Sequence, residues 1–277
     1  MGKRFENKVV VITGAGGVLC NAFAAAFAEE GAKVALLDIN EEAVMQNARM
    51  LTEKGCTAKG YKADVLDQES LKQTRERVNA DLGTCDILIN GAGGNNKRAT
   101  TDNEFHDFDL PEDTKTFFDL DKSGFEFVFN LNFLGTVIPT QVFAADMMGK
   151  KGANIINISS MNAFTPLTKI PAYSGAKAAV SNLTQWLAVY FSKTGIRCNA
   201  IAPGFLVSNQ NRALLFDADG KPTARTEKIL RNTPMGRFGE ADELLGGLFF
   251  LADEQQSSFV NGVILPIDGG FSAYSGV

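Results

Sequence analysis

The sequence predicts an α/β fold, in which a doubly wound parallel sheet of about seven strands carries helices on both faces. The chain has 277 residues, of which 45% are apolar and 21% charged, and these proportions are typical of a globular protein with a sizeable core. Short β-branched runs alternate with longer helical patterns, which indicates parallel strands joined by helical crossovers. No linker-like tract or internal repeat divides the chain, so we expect a single domain over residues 1–277.

The N-terminal part of the chain contains four predicted strands. The first, 8–13, is a run of β-branched residues of the kind that a sheet buries on both faces. Gly31 and Gly55 follow helical patterns and suit helix C-termini. The elements expected after the first strand are a helix at 20–30, a strand at 33–37, a helix at 41–54, a strand at 57–64, a helix at 68–82 and a strand at 86–90.

The C-terminal part continues the alternation. It contains an expected helix at 123–148, a strand at 153–159, a helix at 172–193 and strands at 197–202 and 262–267. Right-handed crossovers between such strands produce a Rossmann fold.

Two irregular stretches interrupt this pattern. The stretch 94–122 is too long for an ordinary connection between a strand and a helix, and 205–235 is expected to hold two short helices. Both follow the C-terminal ends of strands, where open α/β sheets bind ligands. We therefore expect an inserted substrate-side loop at 94–122 and a substrate-side helical segment at 205–235.

Composition excludes several classes of function. With 27 Lys and Arg against 32 Asp and Glu, the net charge is −5, which disfavours a protein that binds nucleic acid. The four Cys are scattered and there is a single His, which argues against a metal site and fits reduced thiols in the cytoplasm. No long apolar run lies near the start, so we expect neither a signal peptide nor a membrane partner.

A glycine-rich turn at 13–17 follows the first strand. Glycines allow a backbone to approach a pyrophosphate, which the positive end of the next helix then stabilises, although such turns also arise for steric reasons alone. Asp38 lies 24 residues after Gly14, at the end of the second strand. A carboxylate there accepts hydrogen bonds from the adenosine ribose and repels a 2′-phosphate. Together the two features predict NAD as the cofactor.

Four further residues predict acid–base chemistry. Tyr173 and Lys177 are four apart at the start of a helix and share a face, so a nearby ammonium is expected to lower the pKa of the phenol towards neutrality. Ser160 ends the fifth strand, 13 residues before Tyr173, and its hydroxyl could donate to a substrate oxygen. Asn132 lies inside a predicted helix, where Asn is disfavoured and needs a specific role.

With these residues the chain resembles the short-chain dehydrogenase/reductase family over nearly its whole length. The resemblance implies that Tyr173 exchanges the substrate proton, that Lys177 lowers its pKa and binds the nicotinamide ribose, that Ser160 orients the substrate, and that Asn132 holds a proton-relaying water. The matching segments are the turn after strand one, 63–65, 89–93, Asn132, Ser160, Tyr173, Lys177, 199–204 and 267–270.

The resemblance also implies a cofactor site and a homotetramer assembled through the two long helices and the C-terminal tail. Two departures from the family pattern stand out: Val18 and Cys20 replace glycines of the turn, and Gly91 replaces an Asn. The expected cofactor-binding residues are Gly14, Gly17, Val18, Leu19, Asp38, Asp64, Val65, Asn90, Ala92, Tyr173, Lys177, Pro203, Gly204 and Leu206.

The segments expected around the substrate are polar, which suits a small acid better than a steroid or an acyl chain. A sugar acid needs a cation for its carboxylate, and a guanidinium matches it through two hydrogen bonds, so Arg98 is the first candidate and Lys169 the second. The predicted substrate-binding residues are Asn95, Arg98, Ser160, Asn162, Lys169 and Tyr173, with Asn96, Lys97, Thr165 and Asn209 also expected to face the pocket.

Within the family, several longer segments resemble those of the bacterial D-mannonate oxidoreductases, which implies interconversion of D-mannonate and D-fructuronate. Three alternatives stay open: another sugar-acid or polyol dehydrogenase, such as a gluconate 5-dehydrogenase; a 3-oxoacyl carrier protein reductase; and a nucleotide-binding regulator without turnover. The segments are GAGGVLC, INGAGGNN, SSMNAFTPLTKIPAYSGAK, TPMGRFGE and DGGFSAYSGV.

Overall fold

The computed structural model describes residues 3–207, 215–217 and 219–276. Seven strands form one parallel sheet, as predicted, and each ends within two residues of its expected bounds. They are β1 (Val9–Thr13), β2 (Lys33–Asp38), β3 (Thr57–Lys62), β4 (Ile87–Asn90), β5 (Asn154–Ile158), β6 (Arg197–Pro203) and β7 (Ile264–Ile267). Their order across the sheet is β3-β2-β1-β4-β5-β6-β7.

Helices cover both faces of this sheet. The described residues include α1 (Val18–Glu29), α2 (Glu41–Glu53), α3 (Gln68–Asp81), α4 (Lys122–Phe129), α5 (Gly135–Met147), α6 (Pro171–Tyr190), α7 (Ala224–Arg231), α8 (Leu245–Ala252) and α9 (Glu254–Ser257). The sequence did not predict α8, because its LGGLFFLA segment is apolar on every side and has no helical period. Of the two short helices expected in 205–235, α7 is one, and residues 208–214 and 218 lie outside the described part.

Alternation along the strands divides the core into two layers. Val10 and Ile12 of β1 pack with α1, α2 and α8 on one face of the sheet, whereas Val9 and Val11 pack with α3, α5 and α6 on the other. Successive side chains of a strand point to opposite faces, so a run of valines fills both layers. The predicted burial of this strand on both faces is confirmed, since all five of its residues are buried.

The segment Lys122–Met147 is long and apolar enough to cross a membrane by length and composition alone, and half of its most apolar window is buried inside the protein. Its second half, α5, packs against α3, β4 and β5. The predicted single helix is interrupted by a π-helical turn at Asn130–Leu134. The apolar face of this segment therefore covers the sheet.

The two substrate-side segments lie at the same edge of the sheet and are tied to each other. In the insertion 94–122, Glu104 forms an ion pair with Lys228 of α7. The insertion also contacts the loop before α6, because the Lys169 ammonium donates to the Asp102 carbonyl at 2.7 Å and the Thr101 amide donates to the Lys169 carbonyl at 2.9 Å. These contacts bring the insertion next to the helix that carries Tyr173.

Candidate active site

Helix α6 begins with Pro171, which is favoured at the first helical position, and presents Tyr173 and Lys177 on one face. The Lys177 side chain is buried, with 4% exposure. Its ammonium donates to the carbonyl of Ile158 at 2.8 Å and lies 5.7 Å from the centre of the Tyr173 ring. A residue of β5 thus fixes the lysine beneath the half-buried tyrosine.

Ser160 lies two residues beyond β5 and caps a short helical turn at Met161–Ala163. Its hydroxyl oxygen accepts the Asn162 amide at 3.2 Å, and the hydroxyl lies close enough to the Tyr173 phenol to favour a lower pKa there. The two hydroxyls therefore lie close together at the C-terminal edge of the sheet.

Asn132 occupies the π-helical turn between α4 and α5, which explains an Asn inside a long helix. The side-chain amide of Asn132 donates to the Val128 carbonyl at 2.8 Å and to the Gly94 carbonyl at 2.7 Å. The Asn132 side-chain oxygen accepts the Gly94 amide at 3.2 Å. Such π turns occur often at functional sites.

Gly93 shows how closely these groups approach. A Cβ at this position would lie 2.6 Å from the Asn132 side-chain oxygen and 3.2 Å from the Lys177 nitrogen. Only glycine leaves room for both side chains to reach the same point. The four predicted catalytic residues Asn132, Ser160, Tyr173 and Lys177 are thus brought together.

The electrostatics correct one expectation. Burial lowers the pKa of Lys177 from 10.5 to about 8. Burial also raises the pKa of Tyr173 above its usual range, and the hydrogen bond with Ser160 only partly opposes this effect. The net shift of the phenol pKa is therefore upwards in this structure, because burial is the larger effect, and the neutral phenol is favoured.

The glycine-rich turn before α1 has the shape that a pyrophosphate site needs. Gly14 has φ +70°, and a Cβ there would lie 2.8 Å from the Ala92 amide nitrogen. Gly17 precedes α1 in an extended conformation, and no side chain caps the start of this helix. The backbone amides in the first turn of α1 therefore point to the open edge of the sheet. Exposed amides at a helix N-terminus favour an anion, and the turn fits a dinucleotide.

Asp38 lies beside this turn. Its two carboxylate oxygens accept the amides of Gly16 at 3.0 Å and Asn40 at 2.9 Å. These bonds hold the carboxylate at the end of β2, and carboxylate oxygens have further lone pairs for ribose hydroxyls.

Sequence reasoning missed Thr13 as a support of the site. Its buried hydroxyl accepts the amides of Gly91 at 3.1 Å and Ala92 at 3.3 Å, so it joins the end of β1 to the segment after β4. The signal was available, because Thr13 is the first residue of the glycine-rich turn at 13–17.

The other expected cofactor positions follow strand ends. Asp64 and Val65 come after β3, Ala92 after β4, and Gly204 and Leu206 after Pro203, the last residue of β6. Val18 and Leu19 open α1, and Val18 is 42% exposed. Asn90 differs, because its side-chain amide is buried and donates to Thr140 and Asn157, each at 2.9 Å. Its side chain braces the core, so only its backbone could face a cofactor.

The expected substrate residues differ in what their side chains bind. Asn95 donates to Thr100 at 3.1 Å, and the Asn162 oxygen accepts the Leu167 amide at 3.2 Å. Lys169 is directed to the insertion, as described above.

Arg98 is exposed. Its Cβ packs closely against Gly124 of α4, where an added Cβ would lie only 2.9 Å away. Its charge helps to hold the pKa of Asp121 below the usual range, an effect due first to the Ser123 amide. Asn209 lies outside the described residues. Among the described residues, no group of three His, Cys, Asp or Glu side chains could hold a metal ion.

The burial of Lys177 makes a prediction about stability without cofactor. Its pKa of about 8 in the folded protein lies below the 10.5 of an ordinary lysine, so the unfolded chain binds one more proton between these values. We expect wild-type protein to gain about 1.4 kcal/mol per pH unit relative to Lys177→Met as the pH rises within this window.

Denaturant unfolding of both proteins at pH 7.5 and 9.5 measures this difference. Lys193→Met removes an exposed lysine and is the control. A constant difference between wild type and Lys177→Met would contradict the prediction.

Comparison with known proteins agrees with the geometry. A family model described as short chain dehydrogenase matches residues 8–217. An uncharacterized oxidoreductase of Haemophilus influenzae is 72% identical over 98% of this chain and 95% of its own length. An uncharacterized oxidoreductase of Bacillus subtilis, UxuB, is 48% identical over 99% of this chain and 98% of its own.

Solved structures give the same result. A Haemophilus influenzae protein, provisionally named a D-mannonate oxidoreductase and crystallised with bound NAD, is 71% identical with a TM-score of 0.96, covering 99% of this chain and 98% of its own. A gluconate 5-dehydrogenase from Burkholderia cenocepacia, in complex with NADP and tartrate, is 30% identical with a TM-score of 0.82, covering 98% of each chain. The chain therefore belongs to the short-chain dehydrogenase family of oxidoreductases.

Proposed function

We propose that this protein is an NAD-dependent oxidoreductase that interconverts D-mannonate and D-fructuronate. The observation that carries the proposed chemistry is the contact of the Tyr173 and Ser160 hydroxyls above the buried Lys177 ammonium. The high identity to the Haemophilus protein with bound NAD supports the cofactor and the sugar acid. Gluconate 5-dehydrogenase activity is the alternative, which the more distant Burkholderia structure supports.

The nucleotide would be held by the open edge of the sheet. The amides at the start of α1 would bind its pyrophosphate, Asp38 its adenosine ribose, and Lys177 its second ribose. The residues after β3, β4 and β6 would flank the adenine and the nicotinamide. When bound, the nicotinamide accepts or donates the hydride. Asp38 favours NAD over NADP because a carboxylate repels a 2′-phosphate.

Tyr173 is the proposed proton donor. In reduction, the ketone carbon of D-fructuronate gains a hydride and its oxygen gains the Tyr173 proton, which gives D-mannonate; oxidation reverses both transfers. Burial keeps the phenol protonated, which suits donation in the reducing direction. Ser160 would donate a hydrogen bond to the same oxygen as negative charge develops on it. After Tyr173 has donated its proton, a new proton could reach the phenol through Asn132 and Lys177.

The substrate carboxylate requires a cation, because the protein itself is net negative. Arg98 and Lys169 remain the proposed partners. The turn Lys97–Ala99 supports this position, since Ala99 shares a buried cluster with Tyr173 and Ala172. A cytoplasmic location and a homotetramer also remain predictions.

The catalytic assignment is tested by Tyr173→Phe. We expect turnover of D-mannonate to fall about 10²-fold or more, the scale of a lost general acid, with little change in melting temperature or NADH binding. Tyr190→Phe, on the exposed part of the same helix, is the matched control. Assays on D-mannonate, D-gluconate and D-mannitol identify the substrate, and a preference for D-gluconate would replace the proposed one.

Cofactor choice is tested at Asp38. We expect wild-type enzyme to have the higher kcat/KM with NAD, and Asp38→Asn to lose about tenfold or more of it, because a hydrogen bond to a charged group contributes about 1.5–3 kcal/mol. Asp67→Asn, at the carboxylate that caps α3, is the control. A wild-type preference for NADP would refute the role of Asp38.

The carboxylate partner is tested by Arg98→Gln and Lys169→Asn. Lys169 has φ +72°, and Asn tolerates this left-handed backbone better than Ala, so the variant removes the charge with little added strain. We expect KM for D-mannonate to rise about tenfold while NADH binding is unchanged. Lys122→Gln, at an exposed cation that pairs with Glu126 at the start of α4, is the control. Equal effects on D-mannonate and uncharged D-mannitol would show that neither residue binds the carboxylate.

A further inference from the structure

Cys20 and Gly91, one residue from each of the two departures from the family's sequence pattern, are neighbours in the structure. Cys20 lies in the first turn of α1, and Gly91 directly follows β4. A Cβ at Gly91 would lie 2.2 Å from the Cys20 sulfur, far inside van der Waals contact. The space beside Gly91 is therefore filled by the thiol, and side chains at both positions cannot coexist unless the Cys20 side chain or the backbone moves.

The segment Gly91–Gly93 is held on two sides. At its start, Thr13 accepts the amides of Gly91 and Ala92. At its end, Gly93 is in close contact with Asn132 and Lys177, as the distances from its hypothetical Cβ show. Any displacement of Gly91 would thus be passed along two peptide units to the point where the catalytic side chains meet.

The Cys20 thiol acts here through its volume. It is 3% exposed, and burial raises its pKa to about 12, so it is a neutral thiol and neither a nucleophile nor a counter-charge. It is within electrostatic range of both the Lys177 ammonium and the Asp38 carboxylate.

We propose that Cys20 and Gly91 form a complementary pair in which the thiol fixes the position of the Gly91–Gly93 backbone, so that Cys20 is a positioning residue for Asn132 and Lys177. This inference rests on the proposed oxidoreductase function, but not on which sugar acid is the substrate. Paired removal of the two features is its direct test, because a clash created at position 91 should be relieved by a smaller residue at position 20.

The experiment compares Gly91→Ala, Cys20→Ala and the double variant. We expect Gly91→Ala to weaken NADH binding and turnover about tenfold, and the double variant to recover about threefold of each loss, since contacting residues couple in this range. Recovery is incomplete because the Cβ added at position 91 would also lie 2.9 Å from the Thr13 carbonyl. A double variant no better than Gly91→Ala would overturn the proposal.

Two matched controls separate positioning from stability. Gly60→Ala creates a clash of 2.5 Å with the Val44 carbonyl at the edge strand β3, and Cys85→Ala removes a thiol that is equally buried before β4. Both should lower the melting temperature and leave kcat and NADH affinity unchanged. NADH binding is measured by fluorescence without substrate, so failure of the proposed substrate leaves this test intact.

If Gly91→Ala does not fold, the single variants of Cys20 test the proposal. We expect Cys20→Ala to lower kcat and to move the basic limb of the pH–rate profile upwards, because a gap beside Gly91 lets the Gly91–Gly93 segment shift away from Lys177 and reduces the desolvation of its ammonium. Cys20→Ser, which nearly restores the volume, should return both values towards wild type. An unchanged pH profile in Cys20→Ala, with the same kcat as Cys85→Ala, would refute the positioning role.

Discussion

Burying the Lys177 ammonium is the constraint on which the candidate site depends. A buried charge is costly unless it is hydrogen-bonded, and here the Ile158 carbonyl at the end of β5 accepts a hydrogen bond from the ammonium. That bond fixes the lysine to the sheet, while α6 fixes it to Tyr173. Gly93 then has to lack a side chain, because a Cβ there would meet both the Lys177 nitrogen and the side-chain oxygen of Asn132, which lies in the π-helical turn.

Much of this architecture could be predicted from the sequence, because its signals are local. The β-branched run of β1 predicts a buried strand, and a Tyr four residues before a Lys predicts two side chains on one helical face. The direction of the Tyr173 pKa shift could not be predicted in the same way. Helical spacing says that two side chains share a face, but it does not reveal that a carbonyl of a distant strand draws the ammonium to 5.7 Å from the ring.

The long-range partners of the charged residues near the expected substrate site could not be predicted from the sequence either. Lys169 lies between Ser160 and Tyr173 in sequence, which places its backbone near the site, but its ammonium binds the carbonyl of Asp102, 67 residues earlier. Helix α8 was missed for the opposite reason, because it is apolar all round and gives no periodic signal. Long-range partners and uniformly apolar helices are the parts of the fold that a single sequence encodes least visibly.

The π-helical turn at Asn130–Leu134 also separates two parts of one long helix. A wider turn changes the angular register of everything that follows by roughly 100°, the rotation of one helical residue. As a result α4 meets α6 and the insertion, whereas α5 meets the sheet. Because α4 and α5 pack against different neighbours, the surface of α4 can change during evolution while α5 keeps its packing on the sheet. Asn132, in the turn between them, keeps its position in both cases.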